Sequence, residues 1–243
     1  MRSQLLLLAL LSFSCSATQT SPTALSQQQL LREFSFMYPA ELAEVKRSLI
    51  RNQLAEWRAA ELGLTVDSKL AAEKFSEIES KLRASVDGGI DDWSKSEHGM
   101  PWSNASIVYR DYLESNLLYR TTYFADSSKL PQMQVAILTN TSLGVLEEWQ
   151  RALELGQHPD GLGARFEQLP LWSADKFLPG MIIGPIKLPS RVWLLARVMK
   201  IEATEQAVLS DAQLLEMAAN HEISPLAAEL WINEMTCRYN NRN

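Results

Sequence analysis

The stretch that decides the fold lies between Gln134 and Ile201, where two strand patterns flank one amphipathic helix. It opens with the β-prone run Gln134-Val-Ala-Ile-Leu-Thr139 and closes with the apolar run Val192-Trp-Leu-Leu-Ala-Arg-Val-Met-Lys-Ile201. Their composition favours strands, and we expect the second to be central in its sheet. From Leu143 to Leu155 the 3.6-residue period gathers the apolar side chains in one arc and the charged ones opposite. This helix therefore covers another element with one face only.

Helical patterns dominate the chain on either side of this stretch. In the first of them the period places seven side chains on one apolar face: Leu42, Val45, Leu49, Ile50, Leu54, Trp57 and Ala60. We expect the segment from Asp91 to Trp102 to be irregular. The helices predicted outside the central stretch are Ala40 to Gly63, Lys69 to Ser85, a helix capped at Ser103 or Asn104 and running to Phe124, Ala212 to Asn220, and Leu226 to Tyr239. Helices and strands in this order predict an α+β fold.

Length and charge limit the class of protein. The chain has 243 residues, of which 46% are hydrophobic, enough for one large or two small cores. Its formal net charge of -6 argues against nucleic acid as the main partner, because nucleic-acid binding needs a basic face.

The N-terminus has the pattern of an export signal. Met1-Arg-Ser-Gln4 is followed by the short apolar run from Leu5 to Phe13 and then by a polar linker. Two processing outcomes fit: cleavage after Ala17, or lipidation of Cys15 within a degenerate lipobox. The first releases the protein and the second tethers it to a membrane. We expect an exported protein of the periplasm or cell envelope in either case.

Two segments resemble exported foldases that contain a parvulin-type peptidyl-prolyl isomerase domain, the SurA and PrsA type. Gly180-Met-Ile-Ile-Gly-Pro-Ile186 is similar to the parvulin turn that leads into the last strand. The pattern Leu49-Ile50-x-x-x-Leu54, with Ala59 and Gly63-Leu-Thr-Val66, is similar to the N-terminal helical region of these foldases.

The resemblance implies a domain order. It begins with a signal peptide at 1–17, or a lipoprotein signal ending at 14, followed at 18–39 by a linker and the start of the first helix. A helical domain at 40–131 precedes a parvulin-like α/β domain at 132–203. This second domain is degenerate, and the connection between its strands is short. The C-terminal helices, 204–243, are implied to pack on the helical domain.

The resemblance also implies where a prolyl-isomerase pocket would lie, and the two histidines of that pocket are missing from this chain. Active parvulins carry one histidine on the first strand and one on the last, where this chain has Ala136 and Trp193. Efficient catalysis is therefore not expected, and we assign no catalytic residue. The degenerate pocket is implied to involve Ala136, Leu138, Phe177, Met181 and Trp193.

The histidines and the sequence motifs give little indication of another catalytic or metal-binding site. His98, His158 and His221 stand at unrelated spacings beside loops and helix ends, where we expect exposed or locally hydrogen-bonded side chains. The sequence has no metal-ligand motif such as His-x-x-x-His or Cys-x-x-Cys, so we predict no metal and no cofactor.

The leading hypothesis is an exported folding factor that binds unfolded or partly folded polypeptide clients with weak or no isomerase activity. Client contacts are predicted for Trp102, Tyr109, Tyr112 and Tyr123, because an exposed apolar groove holds extended segments without demanding one sequence. Two alternatives stay open. One is an active isomerase with a pocket rearranged around Phe177, Met181 and Trp193. The other is a structural envelope lipoprotein tethered through Cys15.

Overall fold

The computed structural model describes residues 39–66, 68–172, 176–188, 191–203 and 209–241. The predicted export signal, Cys15 and the polar linker lie outside these residues. The helices are α1 (Pro39–Leu62), α2 (Ser68–Ser85), α3 (Ile90–His98), α4 (Trp102–Ser127), α5 (Leu143–Glu154), α6 (Asp211–Asn220) and α7 (Pro225–Asn240). The strands are β1 (Gln132–Asn140), β2 (Arg165–Pro170), β3 (Ile182–Lys187) and β4 (Trp193–Glu202), and a short 3₁₀ helix spans Pro159–Leu162.

The four strands form one antiparallel sheet in the order β2-β1-β4-β3. Strands β1 and β4 are central, as predicted for the run that ends at Ile201. With its separate helices and antiparallel sheet the protein has the predicted α+β fold.

The chain divides into two compact units. The first comprises residues up to Gln53 together with Gly63–Tyr119, and the second comprises Leu54–Leu62 and Arg120–Asn243. The predicted domain boundaries after residues 131 and 203 stay predictions, because a compact unit need not be a domain that folds separately.

The first unit has a core of aromatic and aliphatic side chains from α2, α3 and α4. Phe75, Ile90, Trp102 and Ala105 are buried at its centre. Partly buried side chains pack around them: Leu82, Val86, Trp93, Met100, Tyr109 and Leu113.

The second unit is built on the sheet, and α5 covers one of its faces. Leu146 and Leu153 of α5 pack with Leu138 of β1 and Leu195 of β4, and all four are buried. Burial of these side chains stabilises the layer, at roughly 25 cal/mol for each Å² of apolar surface removed from water. The charged side of α5 is exposed, as its period predicts.

Local signals set the ends of the last two helices. The Ser210 hydroxyl accepts a hydrogen bond from the backbone N–H of Gln213, whose side chain in turn accepts one from the Ser210 N–H, so α6 opens with the predicted capping box. Ser224 caps α7, with Pro225 in its first turn. Further along α7, the Tyr239 ring meets Trp57 edge-on at 5.4 Å between centroids.

One expectation about the elements is wrong, one strand was missed, and the apolar face of α1 is only partly buried. Residues 90–98 form a helix, not an irregular segment, because Asp91 and Asp92 lie in its first turn and Gly99 closes it in the left-handed conformation. Strand β2 was not expected. On α1, burial concentrates at Leu54, Ala55 and Ala59, whereas two residues predicted on the buried face, Leu49 and Ile50, are about half exposed.

None of the helices in the described part of the chain has both the length and the apolar character required to cross a bilayer.

Candidate functional site

Five rings in the first unit form what we call the aromatic cluster: Phe75, Trp93, His98, Trp102 and Tyr109. Trp102 lies at its centre, with ring centroids 6.3 Å from Phe75, 6.2 Å from Trp93 and 5.5 Å from Tyr109. Stacked and tilted ring contacts of this kind stabilise aromatic pairs beyond their area burial. The cluster therefore fixes how α2, α3 and the start of α4 pack.

Trp102 is held by polar contacts at both its backbone and its ring. The Trp102 backbone N–H donates to Asp91 Oδ1 at 2.9 Å, which satisfies a free N–H at the start of α4. The indole N–H donates to Glu79 Oε1, also at 2.9 Å. Hydrogen bonds from Arg83 and then from Trp102 lower the pKa of the Glu79 carboxyl. These contacts place Trp102 in the scaffold of the unit.

His98 occupies a buried position that its sequence neighbourhood does not predict. It was expected to be an exposed or locally bonded loop residue, yet it is 8% exposed and ends α3. Its Nε2 lies 3.2 Å from the Tyr109 hydroxyl, and its ring meets Trp93 edge-on at 5.0 Å. Burial lowers the pKa of the His98 imidazole and raises the pKa of the Tyr109 hydroxyl. The neutral form of both groups is favoured.

The four predicted client-contact residues fall into two groups. Trp102 is 6% exposed and Tyr123 is 5% exposed, so both are interior residues in this structure. Tyr123 packs instead against Trp172, with 5.6 Å between centroids. Tyr112 is 43% exposed, and Tyr109 is half-buried at the margin of the aromatic cluster. Of the four, only Tyr109 and Tyr112 have side chains that reach the surface.

Aliphatic side chains that were not predicted as contacts are more accessible than the aromatic ones. In the first unit Leu49, Ile50, Ile78 and Ile107 are each more than two-fifths exposed. Helical period could not identify them, because it shows which residues share a face without showing which faces lack a partner. Only the structure shows that these side chains are exposed.

The degenerate-pocket residues lie in the second unit, where Leu138 and Trp193 pack in one core but Ala136 lies apart from Trp193 along the sheet. Ala136 is opposite Arg197 and Trp193 is opposite Asn140, so they occupy one face of the sheet at positions four residues apart. That separation is about 13 Å along a strand. Ala136 is buried, and Leu138 belongs to the core beneath α5.

Two residues of the rearranged pocket, Met181 and Trp193, are also separated along the sheet. The Met181 carbonyl accepts a hydrogen bond from the Val198 N–H at 2.8 Å, which anchors Met181 beside the middle of β4. Trp193 begins β4 five residues earlier, about 17 Å away along the strand, and packs in the core with α5. Phe177 is half-buried and Met181 is exposed. The predicted lipidation residue Cys15 lies outside the described residues.

Arg197 holds the position opposite Ala136, and its contacts are structural. Its Nη1 donates to the carbonyls of Leu153 at 3.5 Å and Gln157 at 3.4 Å, at the C-terminal end of α5. A cation there satisfies free carbonyls and complements the helix dipole. Within the described residues no group of three or more His, Cys, Asp or Glu side chains is arranged to hold a metal ion.

Comparison with known proteins gives a distant similarity to a solved structure. No protein-family model matches the sequence, and no curated protein matches it by sequence. A crystal structure of foldase protein PrsA from Streptococcus pneumoniae str. Canada MDR_19A is similar at 9% identity, over 92% of this chain and 94% of that one. The TM-score is 0.33, too low to assign this chain a family or a function.

Proposed function

We propose that the protein is an exported folding factor that holds unfolded or partly folded polypeptides on its helical first unit, with weak or no prolyl-isomerase activity. The observation that carries the proposal is the exposure of large apolar side chains on α1, α2 and α4. These are Leu49, Ile50, Ile78, Ile107 and Tyr112. Accessible apolar surface of this kind binds the apolar segments that unfolded chains expose.

The dispersed pocket supports the second half of the proposal. Prolyl isomerisation crosses a barrier of about 18–20 kcal/mol, which a preorganised and desolvated site lowers. Ala136, Met181 and Trp193 lie at separate positions along the sheet. An arrangement of this kind offers a proline ring no common binding surface, so client holding is favoured over catalysis.

The test measures aggregation and refolding in parallel. A variant with L49Q, I50Q, I107Q and Y112Q removes apolar surface while keeping good helix formers at each position. We expect the parent protein to suppress aggregation of an unfolded client and the variant to lose most of that suppression. Neither protein should accelerate a proline-limited refolding step.

A matched control comes from the second unit. Leu155 is 88% exposed and Leu178 is 68% exposed, so L155Q and L178Q together remove comparable apolar surface elsewhere. This control should still suppress aggregation. Equal suppression by all three proteins, or none by the parent, would contradict the proposal. Acceleration of refolding by the parent would favour the isomerase instead.

A further inference from the structure

The two edges of the sheet are built differently. Edge strand β3 carries Pro185 and Lys187, and its register with β4 shifts between Ile183 and Ile186. Proline, lysine and irregular register are the devices that keep an edge strand from pairing with another chain. Edge β3 is therefore protected.

Edge strand β2 has no lysine and no register shift, and its single proline, Pro170, is its final residue. It pairs with β1 through six consecutive residues in unbroken register, from Arg165 opposite Ile137 to Pro170 opposite Gln132. Among the described residues β1 is its only strand partner. Its outer edge therefore presents backbone N–H and C=O groups in a regular row.

The side chains at the start of β2 are accessible, whereas Leu169 and Pro170 at its end are buried. Phe166 is 44% exposed, and Arg165 and Gln168 are exposed as well. Arg165 and Glu167 lie on the same face of the strand, with 3.8 Å between Arg165 Nη2 and Glu167 Oε2. Phe166 points to the opposite face, because successive side chains of a strand alternate.

We propose that β2 is a self-association edge, where a second copy of this chain adds its own β2 antiparallel about a two-fold axis at Phe166. This register places Arg165 of each copy opposite Glu167 of the other and the two Phe166 rings opposite each other. Directly opposed side chains in an antiparallel pair lie about 4.5–5.5 Å apart at Cβ, close enough for both contacts. The result is one eight-stranded sheet whose two halves are joined through residues 165–167 of each copy.

Charge complementarity selects a second copy over an arbitrary extended peptide. A two-fold axis at Phe166 exchanges positions 165 and 167, and these positions carry opposite charges. The same strand segment is therefore its own complement. An unrelated peptide would share the backbone hydrogen bonds but would match the charges only by chance.

The test is a charge swap followed by sedimentation equilibrium across a range of concentrations. R165E puts a carboxylate opposite the second copy's Glu167, and E167R opposes two guanidinium groups. Each single change should weaken association by about tenfold, because two favourable pairs become two repulsive ones. The double variant R165E/E167R restores opposite charges in every pair, so its association should return to within about twofold of the parent.

Two further variants exclude indirect effects. F166K places two ammonium groups together on the two-fold axis and should abolish association. K81E changes one partner of an exposed pair with Glu77 in the first unit and should leave association unchanged. Circular dichroism of each variant checks folding, and the recovery of the double variant cannot arise from misfolding.

Three results would overturn the proposal. One is a monomeric parent protein at concentrations up to about 1 mM. Another is a dimer that R165E and F166K leave intact, since its contact would lie elsewhere. The third is binding of an extended unfolded peptide at β2 by a chain that does not self-associate.

Discussion

The ion pair between Arg58 and Asp126 gives the sharpest stability prediction. Both residues belong to the second unit, and Arg58 donates to the Asp126 carboxylate through Nε at 3.0 and 3.1 Å and through Nη2 at 2.6 Å. The Asp126 side chain is only 6% exposed, whereas Arg58 is 18% exposed and has a second contact at 2.9 Å with Glu61. Loss of Arg58 therefore leaves a buried charge, whereas loss of the Asp126 charge leaves Arg58 with a second partner, Glu61.

This inequality predicts different costs for the two single changes. R58M leaves a carboxylate buried with the hydrogen bonds from Arg58 gone, and breaking a buried pair in this way costs about 3–5 kcal/mol. D126N leaves the guanidinium beside Glu61 and partly in water, so its cost should be nearer 2 kcal/mol. At about 2–4 °C per kcal/mol for a chain of this size, R58M should lower Tm by roughly 10 °C.

Urea unfolding followed by circular dichroism measures both costs, and an unchanged slope with denaturant shows that the variants unfold over the same surface. K81M is the control, because Lys81 pairs with Glu77 on the exposed side of α2, and it should leave the midpoint unchanged. The reasoning fails if D126N costs as much as R58M, or if both cost less than about 1 kcal/mol.

Two further predictions concern a glycine and a histidine. G184A should cost about 2–3 kcal/mol in an unfolding titration, because Gly184 has a φ of +106° and an added Cβ would lie 2.7 Å from the Leu194 carbonyl oxygen. G144A in α5 is its control and should be neutral or slightly stabilising, since the nearest atom to its Cβ is 3.8 Å away. For His98, the lowered folded-state pKa means that the unfolded chain binds a proton first. The free energy of unfolding should be highest above the ordinary histidine pKa and should fall as the pH drops from there toward the lowered pKa. Unfolding measured at several pH values should show a weaker pH dependence for H98Q than for the parent. An unchanged pH dependence in H98Q would refute the assignment.

The central elements could be predicted from sequence because each carries a strong signal of its own. The run from Val192 to Ile201 is apolar enough to require burial on both faces, and it became the central strand β4. Helix α5 combines one apolar arc with charged residues opposite, and its boundaries differ from the prediction by a single residue. Such elements are specified by their own residues.

The missed elements depend on their neighbours. Strand β2 reads Arg165-Phe-Glu-Gln-Leu-Pro170, with two apolar side chains that do not alternate, and pairing with β1 is what holds it extended. Helix α3 is short and polar. The Ser94 hydroxyl donates to the Met100 carbonyl at 2.7 Å, which ties the helix to the turn that follows it. No periodic pattern in the sequence predicts either element.

The candidate site was harder to predict than the fold for a related reason. The predicted client contacts are all aromatic residues, but aromatic side chains are also efficient core residues, and Trp102 and Tyr123 are buried. The accessible side chains are Ile107 and its aliphatic counterparts, which sequence alone assigns to a core. Exposure depends on where partners are absent, and that is a property of the assembled chain.

The strand order also has a consequence for the route by which the sheet forms. Lys187 of β3 pairs with Trp193 of β4 only six positions later, whereas Gln132 of β1 pairs with Glu202 of β4 seventy positions later. Closing the long loop costs more chain entropy, and contacts between distant residues slow folding. The β3–β4 hairpin can therefore form early, and insertion of β1 between β4 and β2 should limit the folding rate of the sheet. As the chain is synthesised, β1 can pair with β2 on one side, but its other edge stays unpaired until β4, the last strand, is complete.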